Sequence, residues 1–314
     1  MNKKSILIIG SSGFFGKSIL DFILENKKIK KKISKIFLIS RKNKNKIPSS
    51  LSKNYKIIKI QSDISKAKYL PYADYVIYCV ITKNFNDDLK AAKNYIKLAK
   101  KFHRGSAVLY TSSGAIYGNQ SYSDGKFTEK HSPKPRNHKS KIRKEYATIK
   151  YKNEKLFKNL IKYNILVTIA RCFAFVGKNL PLDKNFVVGN LIKNIIEKKK
   201  LIVKSDKKVF RSYMFSDDLS SCLLKLIFDN KNKLNIYNIG SEDKIDIRDL
   251  AIKLGKRFKL DVNLNQIKDK KKYDLYIPKI SKFRKKFNFY KKLNSYNAVI
   301  KTIKQITKNE FKSS

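Results

Sequence analysis

In its first half the chain alternates short apolar runs with longer segments in which apolar residues recur at helical spacing. The runs fall at residues 5–9, 36–39, 57–60, 74–80, 107–110 and 165–169. Each is too short for a helix and most lack the polar alternation of a half-exposed strand, so they predict strands covered on both faces. Residues 17–26 and 89–102 carry the amphipathic pattern between them. Strands alternating with helices at this pitch predict an α/β fold with a doubly wound parallel sheet. Past Gly177 the rhythm loosens. Helices are predicted over 156–164, 187–200, 219–228, 247–258 and 298–307, a short strand over 201–203 and a loop at 268–272.

The first apolar run ends in Gly10-Ser-Ser-Gly13-Phe-Phe-Gly16. Strand, glycine turn and helix, in that order, are the setting in which this spacing signals dinucleotide binding. The glycines allow a tight turn and let a pyrophosphate approach a helix N-terminus. With 11 glycines in 314 residues, chance would produce the spacing in about one such chain in a hundred. The second strand exits into Ser40-Arg41-Lys42, where an acidic residue would hold the adenosine ribose of NAD. A small residue followed by a cation fits the 2′-phosphate of NADP; a coincidental arginine is the alternative in so basic a chain. The third strand exits into Ser62-Asp63-Ile64, near where an adenine would lie. The fifth exits into Thr111-Ser112-Ser113-Gly114-Ala115-Ile116-Tyr117-Gly118. Residues beyond the carboxyl ends of parallel strands face the ligand crevice, so a hydroxyl here could bond the reacting oxygen of a substrate. A serine-rich turn that satisfies its own backbone is the other reading.

Tyr146 and Lys150, with Glu154 four residues on, share one face of a predicted helix. A cation beside a phenol favours the phenolate, which turns tyrosine into a usable acid/base. By itself the pair says little. With 18 Tyr in a lysine-rich chain, about four such spacings arise by chance, and Tyr55/Lys59 and Tyr151/Lys155 are two others.

Composition alters this picture only modestly. The length and the 42% hydrophobic content suit one large or two intimate globular domains. The net charge of +49 points toward nucleic acid, but only nine of the 73 basic residues are Arg, the side chain preferred for bidentate phosphate and base contacts. The lysines are spread along the chain with many Ile and Asn, the pattern of an AT-rich coding sequence. No nucleic-acid partner is expected, although a positive field would still attract anionic ligands. Cys79, Cys172 and Cys222 lie in apolar surroundings without paired spacing and read as buried free thiols of a reducing cytosol. His103, His131 and His138 form no metal-ligand cluster. Lys3-Lys4 precede an apolar run, yet glycines interrupt it and no run approaches the roughly 20 residues of a membrane helix. A cytoplasmic protein without membrane insertion is expected.

Taken in order, these signals resemble the extended short-chain dehydrogenase/reductase family, the NAD-dependent epimerases and dehydratases that act on nucleotide sugars. The matching residues span nearly the whole chain. They are the Gly10/Gly13/Gly16 loop, Asp63, Ser113 in its Ser-Ser-Gly-Ala-Ile-Tyr-Gly turn, Thr128-Glu129 ahead of Pro133, and Tyr146, Lys150 and Glu154. Arg171-Cys-Phe-Ala-Phe-Val-Gly177, the Arg211 to Asp218 segment and Tyr237-Asn238-Ile-Gly240 follow. The resemblance implies a Rossmann domain over 1–177, completed by about 201–240, and a smaller substrate-binding region from 178–200 and 241–314. It implies Ser113, Tyr146 and Lys150 as the catalytic residues. The coenzyme cradle it implies is Gly10, Gly13, Phe14, Phe15, Gly16, Arg41, Asp63 and Ile64, joined by Tyr146 and Lys150. Substrate contacts would come from Ser113 and from Arg211, a guanidinium fork suited to phosphate; for Arg211 a surface salt bridge is the plain alternative. Asn238 and Gly240 match a structural turn. The cofactor is NAD or NADP, with Arg41 favouring NADP, and no metal is implied. The implied partner is a nucleotide sugar, the setting polysaccharide biosynthesis, and a homodimer one possible assembly.

Departures from the family pattern sharpen the expectation. Ile149 stands where a Ser is usual, and Ala174 where an Asn contacts substrate. An insert at 134–144, polar and basic, is expected to be a solvated surface loop. Gly114-Ala115 occupies the site at which 4,6-dehydratases carry acidic residues, and elimination of water needs such proton-transfer groups. The expectation is a sugar epimerase or ketosugar reductase, with a 4,6-dehydratase or a non-catalytic scaffold of the same fold as alternatives.

Overall fold

The computed structural model describes residues 3–42, 55–82, 84–119, 126–182, 186–268 and 273–310. Contacts divide the chain into two units, one built from 1–120, 129–172 and 220–238, the other from 121–128, 173–219 and 239–314.

The first unit is organised by a seven-stranded sheet. Its strands are β1 (Lys4–Ile9), β2 (Ile33–Ser40), β3 (Lys56–Gln61), β4 (Tyr75–Tyr78), β5 (Ala107–Ser113), β6 (Leu166–Cys172) and β7 (Leu234–Ile239), in the order β7-β6-β5-β4-β1-β2-β3. The pairings from β6 through β3 are all parallel. The order reverses between β1 and β4, the topological switch point at which open α/β sheets leave a ligand crevice. This is the doubly wound fold that the apolar runs predict.

Helices cover both faces of the inner strands, which is why these read as continuous apolar runs. β3, at the sheet edge and expected from its apolar run to be covered too, carries only exposed and half-buried residues. On one face lie Leu7, Ile9, Val76, Tyr78, Val108, Tyr110 and Val167, under α2 (Phe85–Phe102) and α3 (Lys141–Lys158). Aromatic rings lock these helices down. Phe157 of α3 stacks on Tyr110 of β5, with centroids 4.4 Å apart and planes 12° apart, and also on Tyr95 of α2 at 5.4 Å. Burial of such a ring contributes about 1.5–3 kcal/mol. Ile6, Ile8, Ile36, Leu38 and Ile77 are buried on the opposite face. There α1 (Phe14–Glu25) buries Ile19 and Ile23, and Phe228, at the end of the helix Ser216–Phe228, meets Tyr75 at 5.0 Å.

The second unit holds short strands that carry little sequence signal. Lys208–Arg211 lies between Ile245–Asp246, antiparallel to it, and Tyr273–Tyr276, parallel to it. Leu201–Val203 pairs with Val262–Leu264, and Phe175–Val176 with Met214–Phe215. Helices Val187–Ile196, Ile247–Phe258 and Ser295–Glu310 contribute Leu191, Ile192, Leu250, Leu254, Val299 and Ile303 to its core.

Several boundaries differ from those the pattern predicts. The helix expected over 156–164 is α3 ending at Lys158, followed by a tighter turn over Asn159–Tyr163. The helix expected to reach 200 ends at Ile196. Helix Ser281–Phe287 was not predicted. The loop expected at 268–272 lies, from 269 onward, outside the described residues. No described helix is long and apolar enough to cross a membrane.

Candidate active site

The glycine turn is shaped by close backbone approaches. Gly10 ends β1 with φ +89°, and a Cβ there would sit 2.8 Å from the Cys79 carbonyl oxygen at the end of β4. A Cβ at Gly16 would sit 2.5 Å from the Gly10 oxygen, so α1 packs directly on the turn. Gly13 is different. It is the N-cap of α1 at φ −80°, and its Cβ would meet only the Gly10 oxygen, at 3.4 Å. The fold therefore needs glycine at 10 and 16 but leaves room at 13. The first turn of α1 carries no acidic residue, so the positive end of the helix dipole is uncompensated there. Phe14 and Phe15 are half-buried beside it, their rings 5.7 Å apart.

At the neighbouring strand ends, Arg41 is exposed and Asp63 half-buried. Asp63 Oδ1 accepts from the Ser65 backbone N–H (2.9 Å) and hydroxyl (2.8 Å). Partial burial opposes its ionisation, but those bonds, with the charges of Arg41 and Lys66, outweigh it and hold the carboxyl below its ordinary range. Ile64 is buried in the core and its carbonyl accepts from Asn94 Nδ2 at 2.8 Å, so its side chain faces packing rather than solvent.

The helix α3 carries Tyr146 and Lys150 toward β5. Lys150 is 5% exposed, and its ammonium donates to the Thr111 carbonyl at 3.2 Å. It lies over the rings of Tyr110 (5.2 Å) and Tyr146 (6.0 Å). Burial alone would push Lys150 toward the neutral amine, yet Tyr110, Tyr146, Asp88 and Cys172 around it outweigh that and raise its pKa above the ordinary value. Lys150 is a buried cation. The same surroundings, burial first, push the Tyr110 phenol and the Cys79 thiol up to about 12, so neither is a proton-transfer group near neutrality. Tyr146 is half-buried, its ring 5.5 Å from Phe85 of α2.

Glu154, one turn beyond Lys150, fixes the rotation of α3. Fully buried, it takes a two-pronged bond from Arg171 of β6, Nε to Oε1 at 3.0 Å and the terminal nitrogen to Oε2 at 2.9 Å. Ser112 of β5 adds a third bond at 2.7 Å. Arg171 also donates to the Tyr117 hydroxyl (2.9 Å), which donates to Asn238 Oδ1 (2.8 Å), and the Asn238 N–H donates to Glu129 (2.8 Å). One buried network thus joins five of the motifs picked out in the sequence, and it explains them as architecture. Ser113, 5% exposed, ends β5 and its hydroxyl accepts from the Ala115 N–H at 3.1 Å.

Sequence reasoning missed Asp88, Phe85 and Tyr110. Asp88 of α2 is 3% exposed; Oδ1 accepts from the Thr82 N–H, and Oδ2 is buried with no hydrogen-bond partner. Burial raises its pKa, and the Lys150 charge works against that rise. An acidic residue among apolar ones at helical spacing was the available signal.

Arg211 belongs to the second unit, where its two terminal nitrogens bond the Asp274 carboxylate at 3.1 and 3.0 Å. The insert expected to be a solvated loop is not one throughout. Residues 141–144 form the first turn of α3, and His138 is buried. Ser140 is the N-cap position of the helix, its carbonyl accepting from the Lys144 N–H at 2.9 Å while its side chain makes no capping bond. Among the described residues no group of His, Cys, Asp and Glu could hold a metal, and the three cysteines are buried and form no disulfide.

A family model for the NAD dependent epimerase/dehydratase family matches residues 6–240. The chain belongs to that family. Similar solved structures include a dTDP-glucose 4,6-dehydratase from Bacillus anthracis in complex with NAD, 16% identical with a TM-score of 0.78, covering 98% of each chain. A UDP-N-acetylglucosamine 4-epimerase from Methanobrevibacter ruminantium is 17% identical with a TM-score of 0.77, over 98% of this chain and 100% of that one. A UDP-galactose 4-epimerase is 18% identical with a TM-score of 0.75, over 97% and 99%. These likenesses establish the fold. Among curated proteins, UDP-glucuronic acid decarboxylase 4 of Arabidopsis thaliana is 31% identical over 88 residues, 28% of this chain. The chain spans about a fifth of that relative's length (19%).

The residues present fit the family's coenzyme. Gly13 leaves open the space a Cβ would fill, at the N-terminus of a helix whose first turn carries no negative charge.

Proposed function

We propose that this family member is an enzyme acting on a nucleotide-activated sugar, as an epimerase or a ketosugar reductase. The observation that carries the reading is the buried, charged Lys150 beside Tyr146 on the face of α3 that packs on β5, the strand that ends in Ser113. Bound NAD(P) supplies a hydride acceptor and donor. Ser113 holds the reacting sugar oxygen. Tyr146 takes the proton of that hydroxyl as a carbonyl forms and returns it in the reverse direction. Lys150 keeps a positive charge beside the phenol and would hold the nicotinamide ribose. The coenzyme would lie along Gly10, Gly13, Phe14, Phe15 and Gly16, with Asp63 and the backbone of Ile64 toward the adenine. Arg41, exposed at the end of β2, favours NADP over NAD. Arg211 would grip the sugar-nucleotide phosphate, sharing its guanidinium with Asp274.

Gly114 and Ala115, in the tight turn Gly114–Tyr117, offer no proton-transfer group, which favours these reactions over 4,6-dehydration. We read the protein as cytoplasmic. The test is product mass after incubation with nucleotide sugars and 4-keto sugars plus NADPH or NADH. An unchanged mass with a new retention time marks an epimerase, and two added hydrogens with coenzyme consumed mark a reductase. Loss of water would overturn the argument from Gly114 and Ala115. Silence across the panel would favour a non-catalytic, coenzyme-binding scaffold.

A further inference from the structure

The insert between Ser113 and Tyr146 is stitched to the turn that follows Ser113. His138 Nε2 lies 2.6 Å from the Ala115 carbonyl, and the ring is 9% exposed. A carbonyl only accepts, so Nε2 carries the hydrogen. Nδ1 is buried without a partner, so that single bond is the ring's polar attachment. One residue earlier, Asn137 makes two further ties. Its carbonyl accepts from the Asn119 N–H at 3.1 Å, and its amide nitrogen donates to the Asn119 carbonyl at 3.0 Å. The Asn137 N–H bonds the Lys134 carbonyl at 2.9 Å and closes the segment on itself. Gly118 completes the fit. At φ +72° its added Cβ would fall 2.2 Å from the Lys134 oxygen, so turn and segment meet backbone against backbone.

Ala115 is therefore held from both sides. Its carbonyl takes the His138 bond while its N–H donates to the Ser113 hydroxyl at 3.1 Å. That second bond occupies a lone pair of Ser113 and so sets where the O–H can point. We propose that residues 134–138 are a clamp on the turn from Ser113 to Asn119, with His138 as the positioning residue that aims the Ser113 hydroxyl. The positioning role rests on the reading of Ser113 given above. The clamp itself rests only on the contacts.

The test uses the full chain with His138→Ala, His138→Gln and Asn137→Ala. A glutamine amide can reach the same carbonyl and keep the donor, whereas alanine removes it. Amide hydrogen exchange is followed in peptides covering 113–119, together with kcat, KM and coenzyme Kd. Loss of one such bond should speed exchange in the turn about tenfold. In His138→Ala, kcat should fall about tenfold while coenzyme Kd stays within about twofold, and His138→Gln should recover both exchange and kcat to within about threefold. Asn137→Ala, on the exposed side, should speed exchange in the turn and still fold if His138→Ala does not. Unchanged exchange in Asn137→Ala and His138→Ala overturns the clamp. Faster exchange with unchanged kcat overturns the positioning role, as does an equal loss in the Ala and Gln variants. Exchange is read without substrate, so a wild type silent on the sugar panel counts against the epimerase/reductase reading and leaves the clamp to be decided by exchange.

Discussion

Three glycines in one loop can be separated into those the fold requires and the one a coenzyme would require. At Gly10 an alanine would be held at φ +89°, which costs about 1–3 kcal/mol, and its Cβ would overlap the Cys79 carbonyl at 2.8 Å. Forcing β1 away from β4 adds roughly 1–3 kcal/mol of overpacking. Gly10→Ala should therefore lose about 2–6 kcal/mol, a large share of a typical 5–15 kcal/mol stability. At Gly13 the backbone is at φ −80° and the new methyl makes ordinary contact at 3.4 Å. Alanine is a poorer N-cap than glycine by about 0.5 kcal/mol, and the stiffer unfolded chain returns about 0.4–1 kcal/mol. Gly13→Ala should leave stability within about 0.5 kcal/mol of wild type. If the coenzyme lies along this turn as proposed, it should also weaken coenzyme at least about tenfold, about 1.4 kcal/mol, because the methyl would stand where the pyrophosphate is expected. Urea midpoints by circular dichroism and coenzyme Kd from the fluorescence of the reduced nicotinamide measure both quantities. A Gly13→Ala protein that is stable and binds coenzyme as tightly as wild type would refute the phosphate cradle. One as unstable as Gly10→Ala would refute the packing argument.

Four further outcomes are expected. Tyr146→Phe should lower turnover by about 10²–10⁴ with the fold retained by circular dichroism; retained turnover would remove Tyr146 as the acid/base. Arg171→Met strands the buried Glu154 with Ser112 as its remaining side-chain donor in the network described. That should cost about 3–5 kcal/mol, while Arg171→Met with Glu154→Leu should recover much of it in the same urea assay. Arg41→Ser should weaken NADPH about tenfold or more and leave NADH nearly unaffected, judged by the ratio of the two Kd values. His103 is fully buried between Tyr95 and the Pro71 carbonyl, and burial lowers its pKa from the ordinary 6.5 to about 4. The unfolded chain then binds the extra proton first. The stability this neutral ring contributes is complete above pH 6.5 and lost as pH falls toward 4, on the order of 3 kcal/mol at the limit. His103→Asn should flatten that part of the stability–pH curve.

The local pattern of the chain determines much of this protein. Short apolar runs bounded by turn residues read as strands, although the edge strand β3 shows that the run alone does not fix how deeply it is buried. The glycine spacing between strand and helix needs no distant partner to be read. Helical spacing likewise puts Tyr146 and Lys150 on one side of α3. Spacing cannot say which side is inside. Tyr151 and Lys155, on the same helix with the same spacing, line an outer groove of about 610 Å³ with Lys134, Arg136 and Lys152, and Lys155 is exposed where Lys150 is buried. The difference is made by Glu154 and Phe157, whose partners Arg171, Ser112 and Tyr110 lie on β5 and β6. The second unit carries little sequence signal because strands of two to four residues have no period to detect. Asp88 beside Lys150 and His138 under Ala115 come from segments separated by tens of residues. Sheet order and the docking of the insert decide those neighbours, because charge and hydrogen-bond contacts act through space and only the folded chain brings the groups within reach.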